Sequence, residues 1–110
     1  MSGWYELSKT SSGQFRFVLK AANAETILTS EQYTTLAAAK SGIASVQVNS
    51  PLDERYDKKV AKDGKPYFNL KAANHQIIGS SEQYSSEAAR DKGIASVKNN
   101  GPTTVIKEKL

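Results

Sequence analysis

The segment Ser-Glu-Gln-Tyr occurs twice in this chain, at 30–33 and at 81–84. Its carboxylates, Glu31 and Glu82, are the residues best suited to chemistry, because two glutamates brought together can divide general acid and base roles. The neighbouring amides Gln32 and Gln83 would add hydrogen-bonding groups for a ligand. A structural reading competes with this one. Thr34 and Ser85 are suitable helix N-caps. Tyr33 and Tyr84, one residue earlier, can pack on Ala38 and Ala89 as a hydrophobic staple. Ser30 and Ser81 can close the preceding turn through a side-chain hydrogen bond, and a glutamate is favoured near the positive end of a helix. Folding therefore explains Ser and Tyr, part of Glu, and nothing of Gln32 and Gln83.

Little else in the sequence could catalyse. The single histidine, His75, falls in an expected turn without partners for a metal site or a triad, and reads as a surface residue. Cysteine is absent, which removes disulfides, thiolate ligands and thiol nucleophiles. No glycine-rich phosphate loop is present. These residues imply no cofactor, no metal and no catalytic constellation.

The elements that position the doubled segment are themselves doubled. A shift of 51 residues lays Tyr5 on Tyr56, Gly13 on Gly64, Phe17 on Phe68, and Lys20-Ala21-Ala22-Asn23 on Lys71-Ala72-Ala73-Asn74 without a gap. This is a tandem duplication, with repeats at 1–51 and 52–102 and a C-terminal strand at 103–110. Each repeat reads as β-β-β-α. First strands are expected at 4–9 and 55–60, followed by hairpin turns in which Gly13 and Gly64 supply left-handed backbone. Second strands alternate, with Phe15, Phe17 and Leu19 on one face. Asn23 and Asn74 would carry the unusual backbone of the next turn, leading to third strands at 25–29 and 76–80.

Helices are expected at 35–49 and 86–100, with Ile43 and Val46, or Ile94 and Val97, as the apolar stripe. A lane of small residues (Ala38, Gly42, Ser45; Ala89, Gly93, Ser96) runs beside it. A glycine inside a helix costs about 1 kcal/mol relative to alanine, and the chain carries one twice, at matching places. Close approach of the sheet or of the other helix is the expected reason. Residues 103–107 resemble a first strand once more and would close a sheet edge. The expected fold is α+β: one continuous antiparallel sheet spanning a single domain, both helices on one face, and the C-terminal strand exchanged between halves.

The repeated Phe-x-Leu-Lys-Ala-x-Asn strand, the Ser-Glu-x-Tyr lead-in and the Gly-Ile-x-Ser-Val helix together resemble the bacterial YegP-like family. The resemblance spans nearly the whole chain. It implies β-β-β-α units that share a sheet and exchange C-terminal strands, and it implies no activity, ligand or functional residue.

The chain has 110 residues and a formal net charge of +4, with no apolar run long enough to cross a membrane and no leader-like start. A cytoplasmic monomer is the expectation. The outer sheet face offers a second candidate surface: Arg16, Lys20, Tyr67, Asn69 and Lys71, joined by Trp4, mix cationic, aromatic and amide groups that can hold phosphates and stack bases. Glu6 and Asp57 on adjacent strands would oppose an anion. A non-enzymatic binding or structural module is thus the leading functional expectation. Nucleic-acid binding through the sheet face is the first alternative, and an enzyme using Glu31 and Glu82 the second.

Overall fold

The structure, a computed structural model, describes residues 3–110. Its elements are β1 (Trp4–Lys9), β2 (Phe15–Lys20), β3 (Thr26–Thr29), α1 (Leu36–Asn49), a single 3-10 turn (Asp53–Arg55), β4 (Tyr56–Val60), β5 (Pro66–Lys71), β6 (Ile77–Ser80), α2 (Glu87–Asn100) and β7 (Ile106–Lys109).

Local sequence explains the hairpins. Gly13 (φ 84°) and Gly64 (φ 85°) occupy the left-handed region that side chains avoid, which tightens the β1–β2 and β4–β5 turns. The next turn differs from expectation. Asn23 and Asn74 do not carry the positive φ; Ala24 (71°) and His75 (70°) do. The asparagine side chains instead accept from the backbone two residues on, Glu25 N–H at 3.1 Å and Gln76 N–H at 3.0 Å. That bond stabilises the turn and shifts the strained residue by one position.

The strands form one seven-stranded sheet in the order β4-β5-β6-β3-β2-β1-β7. The halves join where Thr29 pairs with Ser80, its own counterpart in the repeat. Six strands are antiparallel as expected, but β7 runs parallel to β1, so the sheet is mixed. The reason lies in the repeat: the place beside β2 that a first-strand-like segment would fill is already held by β1. Arriving in the same direction, β7 can only lie outside it. The strand still crosses from the second repeat to the first.

Tyr5, Leu7, Phe17, Leu19, Phe68 and Leu70 point to one face and are buried. Both helices pack on that face, and each crosses to the other half: α1 touches β2, β5 and β6, and α2 touches β5, β3 and β2. The expected helix stripe is present and wider, with Ala39, Gly42, Ile43, Val46 and Asn49 buried in α1. The caps are Thr35, accepting from Ala38 N–H at 3.0 Å, and Ser86, accepting from Ala89 N–H at 3.1 Å. Thr34 and Ser85 are one residue too early, because the preceding Tyr33 and Tyr84 are still bonded to the second strands.

Two contacts between equivalent positions fix how the halves meet. Leu28 lies against Gly79, where an added Cβ would stand 2.7 Å from the Leu28 Cγ. Ser50 lies against Gly101, where an added Cβ would fall on the Ser50 Cβ and Oγ. Each residue is 51 positions from its opposite, so each pair sets a larger residue of the first repeat on a glycine of the second.

The tyrosines of β1 and β4 tie the helix ends. Tyr5 Oη donates to the Gly101 carbonyl and Tyr56 Oη to the Ser50 carbonyl, both at 2.6 Å. Burial pushes both phenols well above the ordinary value of 10.0. A raised acid in the folded state leaves stability intact below pH 10 and erodes it as pH rises through and above that value. We expect unfolding free energy to fall there by up to about 1.4 kcal/mol per pH unit for each such phenol. Urea titrations at neutral and alkaline pH should show a shallower alkaline loss for Tyr5→Phe. That variant should also be about 1 kcal/mol less stable at neutral pH, from the lost hydrogen bond.

Candidate functional site: the open sheet face and the Ser-Glu-Gln-Tyr segments

The Ser-Glu-Gln-Tyr segments follow β3 and β6. Ser30 N–H donates to the Phe17 carbonyl at 2.9 Å, and Phe17 N–H donates back to Ser30 Oγ at 2.9 Å. Ser30 Oγ donates in turn to the Glu31 carbonyl at 2.7 Å. Three residues later Tyr33 exchanges two backbone bonds with Phe15, at 2.7 and 2.8 Å. Glu31 and Gln32 are therefore extruded between two anchored residues and exposed. In the second segment, Ser81 repeats the side-chain bonds at 3.0 and 2.8 Å, and Glu82 and Gln83 are again exposed.

With Thr35 as the cap, Tyr33 stands two residues before it and not at the staple position. Its ring stacks on Phe17, with centroids 6.2 Å apart and planes at 11°, and it lies over Gly42. An added Cβ at Gly42 would meet the Tyr33 hydroxyl, would stand 2.8 Å from its Cζ, and would be 3.0 Å from Phe17 Cε2. Tyr84, Phe68 and Gly93 repeat the arrangement, with centroids 6.3 Å apart. The tyrosine of the first doubled motif is thus the reason for the glycine of the second. Burial raises both phenol pKa values, with Glu31 beside Tyr33 and Glu82 beside Tyr84 adding to the effect.

The two segments do not share a cleft. Because β3 and β6 are antiparallel and meet at Thr29 and Ser80, the chains beyond those residues leave in opposite directions. Glu31 and Tyr33 instead line a shallow cleft with His75 and Gln76 of the opposite half's turn and Ile77 and Ile78 of β6. Glu31 and Glu82 are not brought together as a carboxylate pair. Among the described residues, no group of three or more His, Asp or Glu side chains converges as a metal site would require.

The sheet face away from the helices gathers most of the other candidates. Register places Arg16, Lys20, Lys59, Lys71, Lys107 and Lys109 there, together with Glu6, Asp57, Trp4, Tyr67 and Asn69. Six basic residues against two acidic ones match the chain's entire excess of 15 Lys/Arg over 11 Asp/Glu. The remaining charges of the molecule cancel. Lys59, Lys107 and Lys109 were missed from sequence, although strand alternation alone would have assigned them.

Both acids on this face are already engaged. Glu6 accepts from Trp4 Nε1 at 2.9 Å, and that bond holds its carboxyl below the usual range. Asp57 sits 3.0 Å from Lys71 and 3.4 Å from Lys59, and the Lys71 bond depresses its pKa most. Lys107 stands 4.2 Å over the Trp4 ring, a cation–π contact. At the centre of the face, Ser80 Oγ donates to the buried Asn69 Oδ1 at 2.7 Å, satisfying an amide that neighbouring side chains cover.

A profile described as a domain of unknown function (DUF1508) matches residues 11–57 and 61–108, most of the chain. The chain belongs to this DUF1508 family. The two matched segments each run as β-β-α-β, from β2 to the start of β4 and from β5 to β7. The profile thus divides the repeating pattern one strand later than the sequence reading does.

DUF1508 relatives are close and collinear. A UPF0339 protein of Shewanella oneidensis is 68% identical over 108 residues, covering 98% of each chain. UPF0339 protein YegP of Escherichia coli K12 is 64% identical over 108 residues, again covering 98% of each. The solution NMR structure of UPF0339 protein SO3888 from Shewanella oneidensis superposes with a TM-score of 0.92 at 68% identity, covering 98% of this chain and 92% of that one. The solution NMR structure of the protein of unknown function yegP from E. coli gives 0.94 at 63% identity, covering 99% and 94%. The resemblance read from the strand, lead-in and helix motifs is borne out.

Proposed function

We propose that this DUF1508 chain is a non-catalytic binding module whose open sheet face takes a polyanion, with single-stranded nucleic acid the chemistry that fits it best. The observation carrying this reading is that the molecule's whole net positive charge lies on that one face, beside Trp4 and Tyr67. Cations ranged along one face can hold phosphates, and partly exposed rings such as Trp4 and Tyr67 can stack bases. The engagement of Glu6 by Trp4 and of Asp57 by two lysines lessens the repulsion that those carboxylates would otherwise exert. On this reading the protein works as a monomer inside the cell, in keeping with its lack of cysteine. Glu31, Glu82 and Gln83 are not among the residues of this face, whereas Gln32 lines a cleft with Arg16 and Ser8 at its margin.

Trp4 is the only tryptophan and lies on this face, so its fluorescence reports occupancy directly. Titration with oligothymidylate should quench it at about 50 mM salt. The logarithm of the binding constant should fall with the logarithm of salt with a slope of about −2, corresponding to roughly three phosphate contacts. Replacing two of those contacts with Arg16→Glu and Lys20→Glu together should weaken binding at least about tenfold at low salt. Absence of quenching at low salt, or binding indifferent to salt and to these substitutions, would refute the reading.

A further inference from the structure

Arg16 lies in a row of outward-facing residues that crosses the sheet. Register sets Ser8 of β1 beside it and Lys109 of β7 beyond Ser8. On the other side, the Ser30 backbone bonds to Phe17 and that of Tyr33 to Phe15, so two residues, Glu31 and Gln32, stand opposite Arg16 alone. That is a β-bulge, which re-aims side chains. It parts the pair. Glu31 lines the cleft with Tyr33 and His75, whereas Gln32 lines a separate cleft of about 380 Å³ with Ser8, Lys9, Thr10, Ser11 and Arg16. The glutamine that folding leaves unexplained thus stands beside a cation, and the glutamate is turned elsewhere.

The chemistry of this cleft is one-sided, because no carboxylate lines it. Thr10 Oγ1 is taken up by the Gln14 N–H at 3.1 Å and by Ser12 Oγ at 2.9 Å, but the side chains of Ser8, Ser11, Arg16 and Gln32 have no hydrogen-bond or ionic partner among the described residues. Lys9 adds charge at the rim, its ammonium 5.8 Å from the centroid of the Phe15 ring. Glu6, two residues before Ser8, is already bonded to Trp4. Folding does not call for this set of side chains. The second repeat closes the same turn, through Ala61 with Lys65 and Gly64 with Ala61, and makes the same bulge through Ser81 and Tyr84. It does so with Lys59, Val60, Ala61, Lys62 and Tyr67 in place of Ser8, Lys9, Thr10, Ser11 and Arg16, and with Asp63 in place of Ser12. The first repeat alone joins an arginine to hydroxyls in a turn without an acid.

We propose that this cleft binds a phosphate monoester. Arg16 supplies the charged, two-pronged grip, and the Gln32 amide with the Ser8 and Ser11 hydroxyls supplies neutral donors. A phosphodiester within a strand offers a single negative charge and two unshared oxygens. A terminal phosphate offers a charge of about −2 and three strong acceptor oxygens. Several donors converging from β1, the turn, β2 and the bulge suit the second kind of group. The proposal rests on the anion-binding reading of the open face, with which it shares Arg16, and adds to it a place where a phosphate ester ends.

The test is an amide chemical-shift titration of the full chain with thymidine 5′-monophosphate, with thymidine as the control. The monophosphate should shift residues 8–11, 16 and 32, and thymidine should not. Arg16→Lys keeps the charge but loses the two-pronged bond, and should weaken the monophosphate about tenfold. Gln32→Ala should weaken it about fivefold, the size of one neutral hydrogen bond; the same change at its twin, Gln83→Ala, should not. Oligothymidylate with and without a 5′-phosphate identifies the source. A gain from that phosphate, removed by Gln32→Ala, supports the site as a holder of strand ends; monophosphate binding without such a gain supports it as a site for a free ester. The proposal fails if the monophosphate shifts none of these residues, if thymidine shifts them equally, or if Gln32→Ala and Gln83→Ala act alike. Monophosphate bound in the cleft, with no quenching of Trp4 by oligothymidylate, would overturn the open-face reading alone. Quenching by oligothymidylate with no shift at the cleft from the monophosphate would overturn this proposal alone.

Discussion

Gly101→Ala is expected to destabilise the protein by about 2–3 kcal/mol, the upper range for forcing a group into a packed interior. The added Cβ would coincide with the Ser50 side chain, which is fully buried. One of the colliding atoms is the Ser50 Cβ, whose position is fixed by its backbone, so no rotamer change relieves the overlap. The ends of both helices would have to separate, straining the bonds from Tyr5 and Tyr56 to the Gly101 and Ser50 carbonyls. Ser50→Gly in the same chain should restore most of the loss, since it removes the colliding atoms. Alone it should cost about 1 kcal/mol for the void and the freer backbone, less than the overlap it relieves, and no hydrogen bond is lost because the buried Ser50 Oγ has no protein partner. Denaturant midpoints of the two single variants and the double variant provide the cycle. Additive losses would mean that the two positions do not touch as described.

Gly42→Ala tests why a helix should carry a glycine. In an exposed helix the change gains about 1 kcal/mol. Here the new methyl group displaces the Tyr33 ring from its place between α1 and Phe17, and the net effect should be a loss of about 1–2 kcal/mol. The sign should depend on Tyr33. In a Tyr33→Ala background, where the Phe17 ring can tilt by the few tenths of an ångström it needs, Gly42→Ala should become neutral or stabilising. If Gly42→Ala stabilises the otherwise unaltered protein, the close packing of Tyr33 is wrong.

Most of the scaffold was legible because the duplication supplied two readings of each element. Strand alternation, the glycine turns and the helix stripe each appeared twice in register. The helix starts were misplaced by one residue because Thr34-Thr35 and Ser85-Ser86 offer two hydroxyls each, and composition does not distinguish them. The staple was misassigned because Tyr33 meets a glycine nine positions later, across an extruded pair of residues, which no short-range rule anticipates. The parallel course of β7 depended on β1 already filling the place beside β2. Whether Glu31 and Glu82 converge rested on a single backbone pair, Thr29 with Ser80. By contrast, the segregation of charge onto one face was available from alternation and register, and only part of it was read.

The pairing of Leu28 with Gly79 and of Ser50 with Gly101 bears on how the two repeats can recombine. Two first repeats assembled in the same manner would oppose leucine to leucine and serine to serine, beyond the space available. Two second repeats would oppose glycine to glycine and leave a void, a cost that packed interiors do not readily absorb. Only the unlike combination is complementary. Each repeat is thus shaped to its unlike neighbour and not to a copy of itself, so the two are not interchangeable within the fold.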